Sequence, residues 1–110
     1  MDSPDQSDMS DVPLASLEKR LDDLTTAVLV PLRASKTLDR AALDSLSQLL
    51  TELGLATADE TMVPKVLVGK LLFVFSSMLA EAGHAKNPAP ILAAAWDIEE
   101  HLTRIFGPHF

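Results

Sequence analysis

The sequence predicts an all-α protein: a compact four-helix bundle, antiparallel, behind a disordered acidic N-terminal tail. Three observations point there. Hydrophobic residues make up 47% of 110 positions while aromatics make up only 5%, so a core has to be built from Leu, Val and Ala, which favours helix over sheet. Apolar residues recur at alternating three- and four-residue steps in four separate stretches. Gly, Pro and short polar clusters punctuate those stretches. The length suits one domain, placed at 13–110, and is too short for two independent cores.

Residues 1–12 (MDSPDQSDMSDV) carry Asp2, Asp5, Asp8 and Asp11 with no base and little apolar content, which predicts a disordered acidic tail. Ser3, Ser7 and Ser10 among these acids leave open a regulated tail. No basic or apolar run opens the sequence, so a signal or transit peptide is not expected.

The first helix is expected from Pro13, with Leu14, Leu17, Leu21, Leu24 and Val28 on one stripe. Pro31 lacks an N–H and crowds the preceding turn at a cost of roughly 3 kcal/mol, so the helix should end or kink near Leu29–Val30. The second helix has Ser35 or Thr37 as candidate caps and Gly54 as its stop, with Leu43, Leu46, Leu49, Leu50 and Leu53 inward. After a connector at 55–61, Asp59 or Thr61 is placed to cap a third helix reaching Ala82, with Pro64 in its first turn and Gly83 as its end. Its inward arc is assigned to Val68, Leu71, Leu72, Phe75 and Leu79. Asn87 and Pro88 should open a fourth helix that ends at Phe106, with Ile91, Ala94, Ile98, Leu102 and Ile105 inward.

Charge narrows the function classes. Four of the seven net negative charges lie in residues 1–11, which leaves −3 for the rest. Neither part clusters Lys and Arg, so direct nucleic-acid binding and attachment to an anionic membrane are both disfavoured. The third helix is shorter than the roughly 20 apolar residues of a membrane span and is broken by Lys70 and Ser76–Ser77. With no Cys there is no disulfide, thiolate metal site or cysteine nucleophile, which suits an intracellular location, cytoplasmic or nuclear.

The chemistry-bearing residues are few. Asp97 and His101 share a helix face at a four-residue spacing, but two ligands do not make a metal site, and an ordinary surface pair is the better reading. Glu99 and Glu100 with Arg104 read as a solvated face with one ion pair. Val68-Gly69-Lys70 lacks the loop of a phosphate-binding motif. No catalytic residue, cofactor site or metal site is expected.

Two features resist a purely structural reading. Trp96 points away from Ile98 and Ile105, with Leu92 one turn earlier on nearly the same line. An exposed Trp beside a Leu suits an interface anchor, and the competing reading has the first helix or the tail fold over it. On the third helix, Val66, Phe73 and Val74 lie on or beside the arc expected to face water. That helix is apolar nearly all round, so either it runs through the centre of the bundle or a second chain covers it. The expected function is a non-catalytic protein–protein interaction module: an adaptor, assembly subunit or dedicated chaperone. Leu92, Trp96, Val66, Phe73 and Val74 form its candidate interface, and the partner is another protein or a second copy. An acidic neutralising binder of the antitoxin or immunity type is the alternative, and a small-ligand carrier the next.

Overall fold

The computed structural model describes residues 14–107, and the expected tail at 1–12 lies outside them. Four helices follow one another: α1 (Leu14–Ser35), α2 (Arg40–Ala56), α3 (Lys65–Ala82) and α4 (Ala89–Phe106). Each of α1 and α4 packs on both α2 and α3, and the diagonal pairs α1/α4 and α2/α3 do not meet. Arg20 near the start of α1 pairs with Glu52 near the end of α2, so these two run in opposite directions. Lys70 pairs with Glu18 and Asp22, and Lys36 with Glu81, so α1 and α3 run the same way. The square therefore consists of two hairpins laid side by side, with parallel as well as antiparallel neighbours.

The core is one cluster fed by all four helices. Leu17, Leu21, Val28 and Leu32 come from α1, and Leu46, Leu49, Leu50 and Leu53 from α2. Leu67, Leu71, Val74 and Met78 come from α3, and Ile91, Ala95, Ile98 and Leu102 from α4.

Several local expectations are corrected. α1 does not stop at Leu29–Val30 but runs through Pro31 to Ser35. Leu29 and Leu32 are both buried, and their packing holds the turn that Pro31 weakens. Lys36, in the left-handed region at φ 55°, then turns the chain, its N–H donating to the Leu32 carbonyl at 2.9 Å. Neither Ser35 nor Thr37 caps α2. Asp39 does, its carboxylate accepting from the Ala42 N–H at 3.1 Å.

Gly54 does not end α2, which continues to Ala56. Thr57 closes that helix, its buried hydroxyl donating to the Leu53 carbonyl at 2.7 Å. Neither Asp59 nor Thr61 occupies the N-cap of α3, which Pro64 holds. Pro88 rather than Asn87 holds that of α4, and neither proline position makes a side-chain capping bond. Gly107, at φ 102°, ends α4 in a conformation that suits glycine alone.

The phase of α3 also differs from expectation. Its buried line is Leu67, Leu71, Val74, Met78 and Ala82. Val68, Phe75 and Leu79 are half-buried, and Leu72 is turned out at 39% exposure. With apolar residues on nearly every side, the pattern of this helix did not select one inward face.

Candidate protein-binding surface

On α3 the side opposite the core is made of Val66, Gly69, Phe73, Ser76 and Ala80, all exposed. At 100° per residue these five fall within one narrow arc, spaced by three, four, three and four residues. The arc holds no charge. Val66 is 61% and Phe73 51% exposed, large values for apolar side chains on a helix face. The Ser76 hydroxyl donates to the Leu72 carbonyl at 2.8 Å, so its one donor is used within its own helix. Among the described residues, no atom outside its own helical turns comes within 4 Å of where a Cβ on Gly69 would stand.

Beside this arc runs a groove between α1 and α3, about 400 Å³ in volume, lined by Asp22, Thr25, Thr26, Val66, Gly69, Lys70 and Phe73. Its charges are already matched, since Lys70 donates to both Glu18 and Asp22 at 3.0 Å. Those two hydrogen bonds, the one to Asp22 first, raise the Lys70 pKa above its ordinary value and keep the ammonium charged. Arg33 lies over the Phe73 ring, its guanidinium carbon 5.6 Å from the centroid, a cation–π contact that leaves half of the ring open to solvent.

The five expected interface residues do not form one patch. Val66 and Phe73 stand together on the α1 side of α3's outer face. Trp96 is 50% exposed on α4, while Leu92 is half-buried and packed against the core. Val74 is corrected outright: at 0% exposure it belongs to the core, in line with Leu71 and Met78, and offers nothing to a partner. Helix α1 does not touch α4, so it does not cover Trp96. The sequence reading missed Leu72, whose outward position depends on the phase of α3. It also missed Gly69, whose openness shows only once the neighbouring helices are placed. Val30, Leu55 and Met62 are exposed as well, on α1, at the end of α2 and in the connector.

Elsewhere the polar residues behave as ordinary surface groups. His101 is half-buried in a cleft of about 200 Å³ with Leu50, Thr51, Gly54, Leu55 and Arg104. Burial, then the Arg104 charge, lowers its pKa, against the opposing pull of Asp97 and Glu100. Among the described residues no three of His, Cys, Asp and Glu gather as a metal site would require. Glu100 and Arg104 form no ion pair. No described helix is long and apolar enough to cross a membrane.

Compared with protein families, curated proteins and solved structures, the chain matches none.

Proposed function

We propose that the chain is a non-catalytic protein–protein interaction module, cytoplasmic in setting, that binds its partner through the outer face of α3. One observation carries the reading. Helix α3 is apolar nearly all round yet touches only α1 and α4, so a face with Val66 and Phe73 more than half exposed has no helix packed on it among the described residues, only the Arg33 side chain over the Phe73 ring. A central position in the bundle would have explained that composition without a partner, and α3 does not have one. An idle surface normally carries charge every turn or so, whereas interface cores lose it. Trp96, half exposed on α4, supplies the residue type most often found at a hot spot.

The acidic-neutraliser alternative draws less support. Glu18, Asp22, Asp23, Glu52 and Glu81 are tied to bases of this same chain, so a large share of the folded domain's acids is already matched. Carriage of a small ligand calls for a pocket within the core, and the core between the helices is filled by Leu, Ile and Met side chains.

The test is paired capture from cells of the source organism, using the wild-type chain and two variants, Val66→Ser/Phe73→Ser and Trp96→Ser. Circular dichroism should show all three equally helical. The reading expects a partner held by the wild type and lost with the double variant. A partner set that neither variant changes would overturn the surface.

A further inference from the structure

We infer that the outer face of α3 is a self-recognition seam on which two copies of this chain pack antiparallel about a two-fold axis level with Leu71. The inference rests on the reading of that face as a binding surface and names its occupant. The argument is the order of large and small residues along the seam: Val66, Gly69, Phe73, Ser76. With the axis level with Leu71, Val66 of one copy meets Ser76 of the other, and Phe73 of one copy meets Gly69 of the other. Each large side chain then faces a small one, and the two-fold repeats every contact, as a closed dimer requires.

Other registers fail this test. An axis level with Phe73 sets the two phenyl rings against each other and leaves Gly69 opposite Ser77. An axis about one turn earlier sets Phe73 against Val66. Parallel pairing in register puts Gly69 on Gly69 and leaves a void there. Of these registers only the first fills the open space at Gly69, where no described atom outside its own helical turns comes within 4 Å of a Cβ and beside which Thr25 and Thr26 line the groove to α1.

Charge is compatible with self-association, which matters for a chain of net charge −7. From Val66 to Ala80 the only charge is Lys70, and it is held by Glu18 and Asp22 at the edge of the seam. No acid of α3 therefore faces its own copy; the two Lys70 residues come about 3 Å apart along the helices, each with its charge matched by Glu18 and Asp22, and each Arg33 lies over its own Phe73 ring. The seam runs about 21 Å along the helix, small for a specific interface, so a concentration-dependent dimer is expected rather than an obligate one.

The experiment is sedimentation of the full chain over a concentration series, with helicity checked by circular dichroism. Four forms are compared: wild type, Phe73→Ala, Gly69→Phe, and Gly69→Phe/Phe73→Ala. Both positions are exposed, so all four should fold. Each single change should weaken dimerisation about tenfold or more, since it removes the knob or fills the hole. The double variant exchanges knob and hole and should recover most of the loss.

Because the chain has no Cys, Val66→Cys/Ser76→Cys should also give a disulfide-linked dimer on oxidation. Ser76→Cys alone should not, its two copies being about 15 Å apart along the helices. A wild type that stays monomeric up to roughly millimolar concentration overturns the self-pairing, while the surface still stands if Val66→Ser/Phe73→Ser loses a captured protein. A dimer indifferent to positions 69 and 73 but broken by Trp96→Ala overturns this seam and moves the interface to α4. Double-variant behaviour no better than either single overturns the register.

Discussion

Replacing Gly69 by Ala separates what the lone chain needs from what a partner needs. Gly69 is the fifth residue of the eighteen in α3, has no positive φ, and among the described residues has no atom outside its own helical turns within 4 Å of its missing Cβ. Glycine inside a helix costs roughly 0.5–1 kcal/mol relative to alanine, because the unfolded chain gives up more backbone freedom. Nothing at this site offsets that cost: a methyl group here neither clashes nor fills a void in the chain. Gly69→Ala should therefore stabilise the monomer by about 0.5–1 kcal/mol, a rise of about 2–8 °C in thermal midpoint for a domain of this size. The assay is urea denaturation at low protein concentration, where the midpoint should rise and the slope stay constant. If two copies pair as proposed, raising the protein concentration should erode the gain, since association would stabilise the wild type by mass action and the added methyl would occupy the space of an incoming side chain. Destabilisation at low concentration would refute the reasoning, since it would mean that Gly69 already packs against its own chain.

Other perturbations test the fold and the phase of α3. Leu46→Ala should cost roughly 2–5 kcal/mol in chemical denaturation, because Leu46 is fully buried. Leu72→Ala, at a position 39% exposed, should cost about 1 kcal/mol or less; a core-sized loss would return Leu72 to the inside of the helix. Asp39→Ala should cost about 1 kcal/mol by freeing the Ala42 N–H, and Asp39→Asn should retain most of the stability. Hydrogen bonding to Arg20 lowers the Glu52 pKa, and hydrogen bonding to Lys36 lowers that of Glu81. A carboxylate depressed in the folded state stabilises the fold above its unfolded pKa and loses that contribution as pH falls through the folded value. The urea midpoint should therefore drop between about pH 6 and about pH 3, and Glu52→Gln should make the drop shallower.

The helices of this chain are legible wherever one side is clearly apolar. On α2 the line Leu43, Leu46, Leu49, Leu50, Leu53 is buried as its spacing requires, and on α4 so is Ile91, Ala94, Ile98, Leu102, Ile105. Helix ends were less legible, because local signals compete with packing. Pro31 and Gly54 both look like stops, yet Pro31 sits between the buried Leu29 and Leu32, and α2 runs two residues past Gly54 to the buried Thr57. Asp39 outcompeted Ser35 and Thr37 for the cap, and those two hydroxyls bond each other at 2.8 Å instead.

The misassignment on α3 has a different origin, and it bears on function. A helix with one apolar seam has one inward face, and its period reveals that face. α3 has two seams on opposite sides: Leu67, Leu71, Val74, Met78 inward, and Val66, Gly69, Phe73, Ser76, Ala80 outward. Periodicity alone does not choose between them, so it places Leu72 in the core and Val74 at the surface, the reverse of their burial. A chain that needed only to fold as a monomer could have charged the outer seam at no cost to its core, and doing so would have removed the ambiguity. That this seam stays uncharged over about four turns, with an open glycine one turn from an exposed phenylalanine, is one fact with two consequences: it obscures the phase of the helix, and it is the observation on which the proposed binding face rests.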